Sequence, residues 1–333
     1  MICSPYDAST VDTHFRWMKE AGIDGVFLQR FVTHIRPDNP AVKAHFDQVL
    51  DNAVRAAQRY GRAVCVMYDL TGLREGDAAL ILDDWRAISD KYGFYDRAKG
   101  YDCYLHHNGR PLVALWGVGF ADRPYDYTVP GELVRALTDS TDDRRCSVHL
   151  GVPAYWRTAG PDVRQDSPEE LLALAALSDV IHPWTPGRYR DSEGYERYLS
   201  TVAADLAWAE ARGKDYAACV FPGFSWHNKA LSEFPDEVHP TDAIPREGGR
   251  FLWMQLAGAV NAGAPMIYVA MFDEIEEGTA IYKLSGNPPV GFSPFVPLGY
   301  GTPPDHYMWL AGQAALALRK GQKLSADMPS RDK

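Results

Sequence analysis

Apolar residues recur along the chain in two alternating patterns. Stretches with the three-and-four spacing of a helix are each followed by a short continuous apolar run, and each run ends in polar or aromatic residues. The first helix is predicted from Ser9 and Thr10 as caps, through Val11, Phe15, Met18 and Ala21, to Gly22 as its stop. Gly25-Val26-Phe27-Leu28 then reads as a buried strand. The unit repeats. A helix over 41–60, stopped by Gly61, precedes a strand over 63–67, and a helix over 78–92 precedes a strand over 111–116. Helices over 131–137, 168–177, 194–211 and 249–261 precede strands over 147–152, 179–184, 216–221 and 265–272, and a last helix covers about 304–320.

Strict alternation implies a parallel sheet with right-handed crossovers. Neither a GxGxxG nor a GxxxxGK(S/T) loop occurs, which argues against a nucleotide-binding doubly wound sheet. The expected architecture is an α/β fold, a single (β/α)8 TIM barrel over 1–322, followed by a charged tail over 323–333 expected to fray. Only seven strands are counted. The missing one belongs before the first helix, so the first strand is either a stub at Ile2-Cys3 or missing. The segments 234–248 and 285–304 read as long loops that shape the rim of a cleft.

In parallel barrels chemistry sits at the C-terminal ends of the strands. Those ends carry Gln29-Arg30, Tyr68-Asp69, Trp116, Trp156-Arg157, His182 and Trp184 with Arg188, Trp226-His227-Asn228, and Asp273-Glu274 with Glu277. The last group is the sharpest. The apolar run Pro265-Met266-Ile267-Tyr268-Val269-Ala270-Met271-Phe272 meets four acids, Asp273, Glu274, Glu276 and Glu277. Against an apolar wall at least one carboxyl is expected to have a raised pKa and to act as an acid near neutral pH. A solvated acidic turn is the competing reading of the same residues. Singly, His182 also reads as a core histidine, Asp69 as a helix cap and Trp116 as core. Jointly, two carboxylates, aromatic platforms and charged groups match what a glycosidase site needs. A competing use is a metal site of His182, His227, Asp69 and Asp273 in an amidohydrolase-like barrel. There is no GxSxG to support a serine nucleophile.

The chain has 333 residues, 46% of them hydrophobic, and a net charge of -10. Its mean hydropathy is -0.30 and its pI about 5.5. The acidity argues against nucleic acid or an anionic membrane surface as partner. No apolar run is long enough for a spanning helix, and Met1–Asp7 shows no signal peptide. Five scattered cysteines without a CxxC fit reduced core thiols rather than a disulfide frame or zinc site. The 9 Trp and 18 Tyr, many of them in loops after strands, suit a sugar-binding cleft.

At Phe272-Asp273-Glu274-Ile275-Glu276-Glu277-Gly278-Thr279-Ala280-Ile281 the chain resembles glycoside hydrolase families 71 and 99, the latter carrying a similar N-E-W-x-E-G-T-x-I-E stretch. The segments Met18–Val26, Asn108–Pro111 and Phe221–Trp226 agree. The likeness covers roughly 4–315 and is closest to bacterial 71/99-like proteins often labelled xylosidase or arabinosidase. The resemblance implies a (β/α)8 barrel acting on glycosidic bonds, and the leading expectation is a hydrolase of a poly- or oligosaccharide that needs no metal or other cofactor. By the same resemblance Glu274 matches the carboxylate that draws a proton from the sugar 2-hydroxyl, giving a 1,2-anhydro sugar. Glu277 matches the acid/base at the leaving oxygen, a route that retains configuration. The chain departs from the pattern at Asp273, Ile275 and Tyr282, which stand where family 99 has Asn, Trp and Glu. A third acid at Asp273 leaves the division of roles open. An inactive carbohydrate-binding barrel is the other expectation these residues allow.

Overall fold

The structure is a computed structural model that describes residues 4–96, 98, 101–139, 141–233, 237, 239–289, 291, 293–299 and 301–331. The chain forms two compact units. The first comprises Asp24–Trp184, the preceding chain up to Glu20, and Ala209–Asp215; the second comprises Ala21–Ile23, Thr185–Trp208 and the chain from Tyr216 onward.

In the first unit the strands β1 (Gly25–Phe31), β2 (Ala63–Asp69), β4 (Arg110–Trp116), β5 (Ser147–Pro153) and β6 (Val180–Trp184) pair in parallel in that order. A two-residue arm, β3 (His106–His107), runs antiparallel to β4. The helices α1 (Ala8–Ala21), α2 (Pro40–Tyr60), α3 (Asp77–Tyr92), α4 (Thr128–Thr138) and α5 (Pro168–Leu177) alternate with these strands. Their limits follow local chemistry. Asn39 caps α2 by accepting the Val42 amide, Pro40 fills the first turn where its missing N–H is not needed, and Gly61 ends the helix at φ 60°. The second unit contains most of α6 (Ser192–Glu210) and of β7 (Asp215–Val220), and α7 (His227–Glu233), α8 (Arg250–Ala262), β8 (Met266–Val269) and α9 (His306–Arg319), with β7 and β8 parallel. Alternating helices and parallel strands are the (β/α)8 TIM-barrel-like pattern, with seven such strands among the described residues. Ile2 and Cys3, the expected stub strand, lie outside the described residues.

A strand shows one residue in two to each face. In the first unit this decides which polar groups look inward. Arg30 and Tyr68 are register partners, and both bond Asp84 on α3, so they lie on the helix side of the sheet. Gln29 and Asp69 alternate with them and bond each other on the opposite face. Val64, Val66, Val113, Leu115, Val148 and Leu150 are fully buried and share the helix side with Tyr68 by this alternation. The second unit has its own core, in which Leu252, Leu256, Tyr307, Leu310 and Ala314 pack with Ala280, Ile281 and Leu298.

Two local expectations change. The last strand ends at Val269, not at residue 272, because Met271 and Phe272 already hydrogen-bond back across the following loop. The C-terminal tail does not fray up to Arg331. Leu324 and Met328 pack on the second core, Asn261 brackets the Leu324 backbone, and Arg331 pairs with Asp305 and stacks over Trp309. Cys65, Cys103, Cys146 and Cys219 are buried thiols, as expected for core cysteines.

Candidate active site

The acids that follow β8 sit on a closed loop. Met271 N–H donates to Thr279 O (3.2 Å), and the amides of Ile281 and Tyr282 donate to Phe272 O at 3.1 and 3.0 Å, which ties the two ends together. Inside it the Glu274 carbonyl accepts the amides of Thr279 and Ala280 and the Thr279 hydroxyl, the last at 3.1 Å. Gly278 turns at φ 65°, and a β-carbon there would fall 2.9 Å from Val296 Cγ2, so the E-x-x-E-G-T spelling has a conformational reason. Ala280 and Ile281 are buried in the core of their unit, with Phe272, Ile275 and Tyr282 packed against it. The loop is therefore anchored by its apolar members while its carboxylates lie along the tip.

These carboxylates are not equivalent. Asp273 and Glu276 are exposed, whereas Glu274 and Glu277 are partly buried. Burial pushes the Glu274 carboxyl up to about 7, the negative charges of Glu277 and Asp273 add to the rise, and the Lys229 ammonium opposes it. Glu277 faces Lys229 Nζ at 3.6 Å, and its carbonyl accepts the Ser225 amide at 2.7 Å. Trp226 stacks on Phe224 with centroids 6.0 Å apart and carries Lys229 Nζ 4.8 Å above its ring. One carboxyl raised toward neutrality by burial, a second carboxyl group beside a cation, and an aromatic face share this corner of the second unit. That set can deliver one proton and withdraw another.

The remaining candidates of the second unit divide. Asn228 spends its amide on the carbonyls of Pro294 (2.9 Å) and Glu276 (3.4 Å), so it braces the loop. His227 Nδ1 is tied to the His239 carbonyl. Arg188 is exposed on a turn closed by its own amide to Thr185 O.

In the first unit Asp69 is 2% exposed, accepts the Thr71 amide at 2.8 Å and takes the Gln29 amide at 3.3 Å. Trp116 and Trp184 meet edge to face at 5.2 Å, Phe120 lies 5.2 Å from Trp116, and the Arg123 guanidinium covers both Trp116 and Phe120. His182 stands 4.9 Å from His149. Burial lowers His182 to about 3 and His149 well below its ordinary value, so both rings are neutral. Trp156 is fully buried, and Arg157 is half-buried beside it on a single helical turn.

Two strand-end candidates are withdrawn from this inward set. Arg30 holds Asp84 through Nε and Nη2, both at 2.7 Å, and Asp47 at 2.6 Å, while the Tyr68 hydroxyl donates to Asp84 at 2.8 Å. Both face the helices and knit α2 and α3 to the sheet. Sequence reading missed Lys229 and Arg246, the latter donating to the carbonyls of Gly278 and Ala280 at 2.5 and 2.8 Å. Lys229 stands three residues after Trp226, the spacing of one helical turn, and was legible on that ground. Arg246 sits in a Pro- and Gly-rich loop and carried no periodic signal. Among the described residues no three His, Cys, Asp or Glu side chains converge to hold a metal ion. No described helix is long and apolar enough to cross a membrane.

No family model and no curated protein matches the chain. Solved structures do. A glycoside hydrolase family 99 endo-alpha-mannosidase from Bacteroides thetaiotaomicron, in complex with bis-tris-propane, is 16% identical with a TM-score of 0.67 over 96% of this chain and 87% of that one. A second structure of such an enzyme from the same organism gives 15% and 0.67 over 96% and 82%. A glycoside hydrolase-like protein gives 14% and 0.56 over 97% and 88%. At these identities the likeness establishes a shared fold, and the chain has the family 99-like fold of glycoside hydrolases.

Proposed function

We propose that the protein is a glycoside hydrolase that cleaves a poly- or oligosaccharide with Glu274 and Glu277 as its reacting pair, with retention of configuration. The observation that carries this reading is the sheltered Glu274 carboxyl, raised to about 7 beside Glu277 on an anchored loop. The neighbouring structures described as an endo-alpha-mannosidase and a glycoside hydrolase-like protein favour it as well.

In the proposed mechanism ionised Glu274 takes the proton of a sugar 2-hydroxyl. Burial makes it a stronger base than an ordinary glutamate, as an alcohol proton requires. The 2-oxygen then displaces the leaving group at the anomeric carbon, and Glu277 delivers its proton to the departing oxygen. Lys229, 3.6 Å away, steadies the carboxylate that this leaves behind. Glu277 next takes a proton from water, water opens the strained ring, and Glu274 returns the 2-hydroxyl proton. No metal ion enters this scheme. Trp226 offers a ring face to sugar next to the pair. Gln29, Asp69, Trp116, His182 and Trp184 are proposed sugar-binding residues of the first unit, and Arg157, Arg188, His227 and Asp273 are further candidates.

The chain carries Asp273, Ile275 and Tyr282 where family 99 has Asn, Trp and Glu, so mannose is not carried over as the sugar. The test is turnover of a panel of plant and fungal glycans, α-mannosides, xylosides and arabinosides included, by the wild type, Glu274→Gln and Glu277→Gln. Each variant is expected to lose roughly 100-fold or more in kcat, with product anomers read by NMR. Undiminished turnover in both variants ends the reading.

A further inference from the structure

Arg246 is 6% exposed, and it is an unusual choice for so dry a place. Among the described residues no carboxylate stands within ion-pairing distance of it. Its guanidinium spends Nη2 on two loop carbonyls, Gly278 O and Ala280 O, and lies 4.7 Å from the centroid of the Tyr307 ring. Burial lowers its pKa, and Asp242 acts on it only through space. Leaving a guanidinium there without a paired carboxylate is costly, a cost that fixing the loop by apolar contacts alone would avoid.

The backbone is shaped to deliver this side chain. Phe224 and Ile244 exchange two amide–carbonyl bonds, at 2.9 and 3.0 Å, which brings the 244–246 segment alongside Gly223. A β-carbon on Gly223 would lie 2.7 Å from Arg246 Cγ and 2.8 Å from Ile244 O, so only glycine lets the strands pass. The carbonyls that Arg246 grips belong to the first and third residues after Glu277. Both bonds leave Nη2, whose two N–H groups are fixed in the guanidinium plane; an ammonium on a flexible stem holds the same carbonyls less rigidly.

We propose that Arg246 is a positioning residue that locks the 271–282 loop, and with it Glu274 and Glu277, into the reactive arrangement. The proposal deepens the reading of that pair as the reacting groups and rests on it. Freed from the grip, the loop lets water reach Glu274, whose surroundings are otherwise Glu277, Asp273, Glu276 and Lys229. Arg246 itself is faced by Asp242 and Tyr307.

The experiment is a carbon-13 NMR titration of the Glu274 carboxyl, assigned with Glu274→Gln, in wild type and Arg246→Lys, together with kcat, KM and thermal melting of both. In Arg246→Lys the Glu274 titration is expected to fall from about 7 toward the ordinary value of 4.5, and kcat to drop about tenfold or more with KM within about twofold. A residue that served stability alone would lower the melting temperature and leave both the titration and the kcat of the folded enzyme where they were; that result overturns the proposal. Tyr307→Leu, which removes the ring beside the guanidinium, gives the same shift at smaller size and replaces Arg246→Lys if the latter does not fold; an unmoved Glu274 there counts against the proposal equally. Absence of turnover by the wild type on every glycan defeats the hydrolase reading, while the titration still decides whether Arg246 sets the position of Glu274.

Discussion

Lys229 Nζ stands 3.6 Å from Glu277 Oε1, and the same ammonium lies over the ring of Trp226. It bears on both Glu277 and Glu274, since it also opposes the rise of Glu274. Replacing Lys229 by Met removes that opposition. The rising limb of the pH–rate profile, set by ionisation of Glu274, is expected to move upward from about 7. The ammonium is 42% exposed and screened by water, so the move is small, roughly half a pH unit, and it shrinks as salt is added. A profile identical to that of the wild type at low salt would mean that Lys229 and the acids do not communicate. A limb that falls rather than rises through neutral pH would reverse the roles of the two glutamates.

Glu274 also predicts how stability depends on pH. Its folded pKa is raised to about 7 from an ordinary 4.5, so between those values the native protein holds a proton that the unfolded chain has released. Stability contributed by this group is complete below about pH 4.5 and is lost as pH rises through 7. At about 1.4 kcal/mol per pH unit the loss is roughly 3 kcal/mol at most. Glu274→Gln keeps the shape and removes the charge. Its melting temperature is expected to exceed that of the wild type at pH 8 and to approach it at pH 4.5 to 5. Equal melting at pH 8 would show that the carboxyl is better hydrated than its surroundings indicate.

The barrel was legible because seven helix-and-strand periods repeat without a break, and the acid pair because four carboxylates follow an apolar run. The inward and outward assignment at strand ends was not. Gln29-Arg30 and Tyr68-Asp69 are each adjacent polar pairs, and the two-residue period of a strand sends one member to each face. Sequence gives the pair; the partner, Asp84 on α3, decides which member turns outward. Trp156 read as a rim aromatic and is buried, on the single helical turn that follows β5. Arg246 was hidden for a different reason. Its partners are main-chain carbonyls, which no residue type announces.

The outward assignment of Arg30 makes a prediction opposite to that for a substrate-binding arginine. Arg30→Ala strands Asp84, whose side chain is 2% exposed, next to Asp47, with Lys43 and the Tyr68 hydroxyl left to offset them. Breaking a buried pair of this kind is expected to cost about 3–5 kcal/mol. Chemical denaturation should show the loss, while the KM of the surviving folded enzyme stays within about twofold of the wild type. A raised KM with undiminished stability would return Arg30 to the substrate.

Gly151 tests whether Trp116 is a sugar platform. A β-carbon there would sit 2.7 Å from Trp116 Cδ1 and 2.9 Å from Trp116 Cα, and the second of these is main chain that cannot swing aside. Gly151→Ala must therefore tilt the indole and push β4 from β5, at a cost of roughly 1–3 kcal/mol. The tilt disturbs the edge-to-face contact with Trp184 and the stacking under Arg123. If sugar lies on that indole, KM rises several-fold with kcat nearly unchanged, because no reacting group has moved. Trp116→Phe serves as the control. It keeps an aromatic face on a smaller ring that tilts more easily, so combined with Gly151→Ala it is expected to recover part of the affinity while the main-chain clash, and the loss of stability, remain. An unaltered KM in Gly151→Ala, with the melting temperature lowered as predicted, would make Trp116 a packing residue and remove it from the sugar-binding set.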